Sequence, residues 1–216
     1  MSDAAVDAVL ALAVRRTLTK DQVLLRQNDR ADAFFLVEQG YLKLTQITQD
    51  GAEVIVRFVG PWDPVGAVAA VDDRSYPVTA TACDAVHVLT WPRARLLEAL
   101  EKYPQLKSNI LREISAHMDN ALTRLRELAT LNVTQRLAHT LLRLTAGEGA
   151  VAPQGGRVVP HALTRQELAE LTGTTLFTAS RVLTSWEASG LVRSSRAHVE
   201  VLDPEGLQRA ADSAGD

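Results

Sequence analysis

Residues 92–145 contain no glycine and only two prolines, Pro92 and Pro104. So long a stretch without chain breakers favours helix, and Pro104 suits a helix start, where its missing N–H costs nothing. The chain before it has the opposite character. Short apolar or alternating runs recur at 23–25, 34–37, 41–44, 54–58, 78–82 and 86–91. They are parted by Asn28-Asp29, Gln39-Gly40, Asp50-Gly51, Gly60-Pro61 and Asp72-Asp73. Many short strands about 8–12 residues apart predict a sandwich or barrel. The expected fold class is therefore α+β.

Within the helical stretch, Leu111, Ile114, Met118, Ala121, Leu125 and Leu128 follow each other at spacings of 3, 4, 3, 4 and 3. That is an a/d heptad seam, the pattern of two paired helices. The alternative is an amphipathic helix packed on its own domain, although so narrow a stripe favours a partner helix. The seam spans under three heptads, which suits local dimerisation better than a scaffold. Asn132 interrupts the apolar register and reads as a hinge. A further helix is expected at about 133–144, and a glycine-rich loop or hairpin tip at 147–156.

The most specific stretch is residues 164–183. Thr164 and Glu167 make a capping box. Ala169 is small where two helices would cross, Gly173 occupies the turn between them, and Thr175 can cap a second helix. Ala179, Val182, Leu183 and Trp186 would form its apolar face, with Leu176, Phe177, Ser180, Arg181 and Thr184 on or near the opposite side. Helix, short turn and helix is the helix-turn-helix pattern, whose second helix enters the DNA major groove. Residues 190–193 and 198–201 read as two strands of a wing around Ser194-Ser195-Arg196. Residues 157–201 carry five Arg and no Lys against four Glu and no Asp, so the patch is weakly basic and a moderate salt slope is expected.

The formal net charge of −3 excludes a whole-chain polyelectrolyte binder and leaves room for a local DNA footprint. The single cysteine, Cys83, excludes a disulfide framework, a thiolate zinc site and a multi-cysteine iron–sulfur cluster. Residues 1–13 lack the basic start and apolar core of a secretory signal, and no apolar run approaches the roughly 20 residues of a membrane helix. A cytoplasmic protein is expected. No Ser-His-Asp arrangement, glycine-rich phosphate loop or metal-ligand spacing points to an enzyme.

From about Leu18 to Val201 the chain resembles the cyclic-AMP receptor/fumarate-nitrate regulator (CRP/FNR) superfamily of bacterial transcription factors. Ala31-Asp32-Ala33-Phe34-Phe35-Leu36-Val37-Glu38-Gln39-Gly40 is similar to its early β-roll hairpin. Leu131-Asn132-Val133-Thr134-Gln135-Arg136-Leu137-Ala138 is similar to the start of its DNA-binding domain, and Thr164-Arg165-Gln166-Glu167 with Ser180-Arg181 to its helix-turn-helix. The resemblance implies a cyclic-nucleotide-binding-like β-roll sensor at 1–104, a dimerisation helix and hinge at 105–132 and a winged helix-turn-helix at 133–216. It implies double-stranded DNA, a second copy of the chain and RNA polymerase as partners of an activator. Arg181 would read guanine, with Ser180 contacting base pairs beside it. Thr134, Arg165, Gln166, Thr175, Thr178, Ser195 and Arg196 would grip phosphates, which fixes register. Phe177 stands where the family usually has a cytosine-reading Glu, and Leu176 replaces a commonly basic residue. An altered half-site is implied, since Phe can meet only a thymine methyl there.

The resemblance also places an effector pocket at Gly66, Ala67, Arg74, Ser75, Tyr76, Ala121 and Leu122. Cyclic-nucleotide members hold their phosphate with a Gly-Glu pair, an Arg-Ser pair and a Thr-Ser pair. Here Ala67 replaces the Glu, Tyr76-Pro77 aligns with Arg-Ser, and Ala121-Leu122 aligns with Thr-Ser. Arg74-Ser75 lies two residues early. A vestigial or altered pocket and no cofactor are expected. Four alternatives stay open: a haem sensor using His87, His117 or Cys83, a cyclic-nucleotide sensor, an unidentified small apolar or anionic effector, and no effector at all, with the protein constitutively competent and controlled by its abundance.

Overall fold

The computed structural model describes residues 3–146, 156–195 and 197–213. The chain divides into two compact units, 1–120 and 121–216. The first contains α1 (Asp3–Leu10), β1 (Val14–Leu18), β2 (Val23–Leu25), β3 (Ala33–Gln39), β4 (Leu42–Ile47), β5 (Glu53–Val59), β6 (Pro64–Val65), α2 (Ala67–Val71), β7 (Thr79–Ala82), β8 (Val86–Pro92), α3 (Arg93–Lys102) and most of α4 (Pro104–Thr130).

The strands form two antiparallel four-stranded sheets, ordered β1-β8-β3-β6 and β2-β7-β4-β5. Alternation along β3 turns Ala33, Phe35 and Val37 inward, and Val37 pairs with Val88 of β8. These residues join Leu42, Leu44, Val59, Ala80 and Val86 in one core shared by both sheets. Each large side chain buried there contributes about 1.5–3 kcal/mol. This is the expected β-roll. Helix α1 has no counterpart in the expectation: Val9 packs on the core, and the indole N–H of Trp91 donates to the Val9 carbonyl at 2.8 Å.

The second unit holds the end of α4, then α5 (Val133–Leu144), β9 (Arg157–Val158), α6 (Arg165–Thr172), α7 (Leu176–Ala188), β10 (Val192–Ser195), β11 (His198–Val201) and α8 (Pro204–Asp212). Strands β10, β11 and β9 form an antiparallel sheet in that order, the expected wing with one extra strand. The loop expected at 147–156 lies, apart from Gly156, outside the described residues. Helix α8 begins at Pro204 behind an Asp203 cap. It is held to α5 by the Gln135 amide, which donates to the carbonyls of Ala211 and Ser213.

Asn132, read as a hinge from the sequence, stands between α4 and α5 and caps the second of them. Its side chain accepts from the Gln135 N–H at 3.0 Å, and the Gln135 side chain accepts from the Asn132 N–H at 2.9 Å, a closed capping box for α5. Arg136 then donates to the carbonyls of Leu131 at 2.8 Å, Thr172 at 2.9 Å and Gly173 at 3.4 Å. The end of α4, the start of α5 and the turn after α6 are thus tied by one guanidinium. An interrupted apolar register looks the same whether the break is loose or capped.

Candidate nucleic-acid interface and sensor cavity

Helix α6 starts where the sequence places it. Thr164 Oγ1 accepts from the Glu167 N–H at 3.1 Å, and Glu167 Oε2 accepts from the Thr164 N–H at 3.0 Å. Gly173 ends the helix at φ +61°, in the left-handed region, and a Cβ there would sit 3.2 Å from Leu128 Cδ2. Conformation and space both ask for glycine. Thr175 caps α7 by accepting from the Thr178 N–H at 3.2 Å.

Helix α7 buries Ala179, Leu183 and Trp186. Its other face presents Leu176, Phe177, Arg181 and Thr184, all exposed, with Ser180 half-buried. Phe177 is 78% exposed, an apolar ring that only a partner surface would cover. Two other arginines of this unit are committed internally. Arg165 on α6 donates to Glu187 at 3.3 Å and to Ser194 Oγ at 2.8 Å, while Arg193 in the wing pairs with Glu200 at 2.8 Å. Glu187 also accepts from the Ser194 N–H at 3.0 Å and from its hydroxyl. That network binds α6, α7 and the wing together. Among the described residues Arg181 makes no ion pair or side-chain hydrogen bond.

In the first unit a half-open cavity of about 520 Å³ lies between α1, the β-roll, α2 and α4. Phe34, Leu36, Val65, Trp91, Leu106, Ile110 and Ile114 supply apolar walls, and Arg57, Asn109, Glu113 and His117 supply polar groups. Gly66, Ala67 and Tyr76 line it as expected. Gly66 has φ +80°, and a Cβ there would lie 2.9 Å from Tyr76 Cε1. The tyrosine hydroxyl donates to the Ala33 carbonyl at 2.7 Å and accepts from the Ala33 N–H at 3.1 Å. A fixed aromatic ring therefore lies against Gly66. The other expected pocket residues are elsewhere. Exposed Arg74 pairs with Asp72 at 2.5 Å, Ser75 bridges to Arg30, and Ala121 and Leu122 are exposed on α4. Of the candidate haem ligands, only His117 lines the cavity. Burial, then the neighbouring Arg57, hold its imidazole below the usual 6.5.

Residues 15–103 match the cyclic nucleotide-binding domain family, and residues 135–210 match the Crp-like helix-turn-helix domain. The transcriptional activator protein Anr of Pseudomonas aeruginosa is 32% identical over 191 residues, covering 87% of this chain and 76% of that protein. The chain belongs to the CRP/FNR superfamily. The CRP-like cAMP-activated global transcriptional regulator of Mycobacterium tuberculosis is 25% identical, covering 89% of this chain and 85% of that protein. The c-di-GMP-responsive regulator CLP of Xanthomonas campestris shares the fold at a TM-score of 0.78, with 23% identity, 93% of this chain and 99% of that one covered.

This CRP/FNR protein is a DNA-binding transcription regulator, and regulators of the family act as dimers. No helix among its described residues is long and apolar enough to cross a membrane. On α4, Leu111, Met118, Leu125 and Leu128 of the expected seam are exposed large apolar residues, and Ala121 is exposed with them. Ile114 is half-buried and turns toward the cavity, while Leu122, read as a pocket residue, lies in the exposed row. Of the expected phosphate contacts, Gln166, Thr175 and Ser195 are exposed, Thr134 and Thr178 are half-buried, and Arg165 is already paired. Arg196 lies outside the described residues. The sequence reading missed Arg136, whose tie to two distant carbonyls leaves no pattern in the chain, and Arg57 in the cavity.

Proposed function

We propose that this regulator works in the cytoplasm as a homodimer and reads a near-palindromic operator, with one recognition helix α7 in each of two successive major grooves. Arg181 donates bidentately to guanine O6 and N7, and Ser180 contacts the base pairs beside it. Phe177 and Leu176 meet thymine methyls. Gln166, Thr175, Thr178, Thr134 and Ser195 hold phosphates and set the register. Leu111, Met118, Leu125 and Leu128, with Ala121 and Ile114 beside them, pair the two copies through α4. As an activator it would contact RNA polymerase. The carrying observation is the outer face of α7, where an unpaired guanidinium stands beside a bare phenylalanine ring.

Selection from a randomised duplex library by the purified protein, at fixed salt and with no added ligand, tests this. Recovery of inverted half-sites, each with one required guanine, is the expected result. Recovery of no preferred sequence, with or without candidate effectors, would overturn it.

A second reading, regulation gated by a small ligand, is favoured by the half-open apolar cavity. Its α4 wall lies on the helix that carries the exposed apolar row. A ligand there would act by favouring one arrangement of α4 over another.

A further inference from the structure

We infer that the β-roll cavity takes a small amphiphilic monocarboxylate, its apolar body against Phe34, Leu36, Trp91 and Ile110 and its carboxylate on Arg57. The inference rests on the ligand-gated reading for its regulatory consequence, not for occupancy itself.

Size and lining come first. A volume of about 520 Å³ lies within the roughly 300–1,000 Å³ range of small-molecule sites, which are mostly apolar with a few placed polar groups. The walls here are aliphatic and aromatic, so the body of the ligand must be apolar. A cyclic phosphate is poorly served. The Tyr76 ring packs against Gly66, Ala67 offers no acceptor, and Arg74 is outside and paired with Asp72.

Charge fixes the head group. Arg57 is the only Lys or Arg among the residues lining the cavity. It stands directly opposite Leu44 in the β4–β5 ladder. Among the described residues its guanidinium makes no hydrogen bond or ion pair. Burial lowers its affinity for its proton, and Asp63 and Glu113 offset this only at a distance. Both carboxylates have closer partners. Asp63 accepts from the Gly60 N–H at 2.9 Å, and half-exposed Glu113 lies 4.0 Å from His117 Nε2. A half-buried guanidinium among mostly apolar walls, without a contacting anion, is a costly arrangement. A bidentate carboxylate relieves that cost with two charge-assisted hydrogen bonds. A second anionic group would find no cation, which limits the ligand to one.

The test is calorimetric titration of the full chain, without DNA, using three probes with one tail: dodecanoate and dodecyltrimethylammonium below their micelle concentrations, and dodecanol below its solubility limit. Dodecanoate is expected to bind once per chain and at least about tenfold more tightly than either control, an advantage of about 1.4 kcal/mol. Arg57→Met should erase that preference. Arg57→Lys, which keeps the charge but loses the planar fork, should retain part of it. Ile110→Trp, which fills the cavity from α4, should weaken dodecanoate and dodecanol alike. Equal binding of the three probes, tighter binding of the cation, no dodecanoate binding, or a preference that survives Arg57→Met overturns the inference. A chain that selects an operator but binds no dodecanoate loses this inference alone. One that binds dodecanoate but selects no sequence loses the operator reading alone.

Discussion

The carboxylate of Glu127, near the end of α4, meets the guanidinium of Arg143 on α5 at 2.5 Å, and only 6% of the Glu127 residue is exposed. Together with the Arg136 ties, this pair fixes the corner at Asn132. Arg143→Met would leave a buried carboxylate without its cation. The expected loss is roughly 2 kcal/mol of stability, discounted because the Arg143 side chain is a third exposed. The double change Glu127→Met with Arg143→Met should recover most of it. Urea unfolding of the four proteins as a double-mutant cycle measures both; independent, additive losses would mean that the pair is not coupled.

Arg181→Ala should weaken operator binding by about 1–3 kcal/mol and relax the choice at one base pair per half-site. Competition binding with single-base operator variants reads both effects. A uniform loss across all operators would make Arg181 a phosphate contact instead.

Phe177→Glu replaces an apolar contact with an acceptor that can take a hydrogen bond from cytosine N4. The preferred base at the position facing residue 177 should shift from thymine to cytosine. Library selection with the variant checks this, and an unchanged half-site would place Phe177 away from the base edges.

Leu125 is 63% exposed, in line with Leu111, Met118, Leu122 and Leu128. Leu125→Lys puts a charge in that row and should give monomers in sedimentation. Ile110→Ala, on the cavity side, should leave the dimer intact while enlarging the cavity. Dissociation by Ile110→Ala with retention by Leu125→Lys would exchange the two faces.

His117 should make stability fall in mild acid. Its imidazole is held below 6.5 by burial and by Arg57, against the opposing influence of Glu113 and Asp63. The unfolded chain therefore takes up a proton that the fold resists. Stability is full above 6.5 and declines as pH drops from there toward the lowered value. Unfolding midpoints compared at about pH 5.5 and about pH 7.5 should differ less for His117→Gln than for the unchanged protein. Equal differences would show that His117 does not contribute.

The helix-turn-helix was legible because local chemistry specifies it. Thr164 with Glu167, Gly173 and Thr175 each declare a helix end, and the structure uses each as read. The cavity was much less so. In β5, Val54, Val56 and Phe58 share one face by simple alternation, which suggests an inward apolar face and an outward Arg57. The structure instead buries Ile55 and Val59, and the register shifts between Leu44 and Thr45. A strand pattern cannot report which of two half-apolar faces the opposite sheet covers. Helix α4 posed a similar problem. Its cavity stripe through Leu106, Ile110 and Ile114 and its exposed stripe through Leu111, Met118 and Leu125 lie side by side, so a single heptad count merged them. Helix α1 carries only eight residues, too few for a periodic signal to stand out.

The interlock of Gly66 with Tyr76 bears on what mutation can reach from this sequence. By the family pattern, a nucleotide site here would take an acid at 67, a cation and a hydroxyl where Tyr76-Pro77 stands, and hydroxyls at 121 and 122. Ala67→Glu alone would bring a second carboxylate into a mostly apolar cavity that already holds Glu113, and removing Tyr76 alone would open a void and strip the Ala33 backbone of both its partners. Each first step is worse than the starting point. Single changes at 67 or 76 thus cost packing without making a nucleotide site, so variation around this cavity is expected to reshape its apolar lining more readily than to create one.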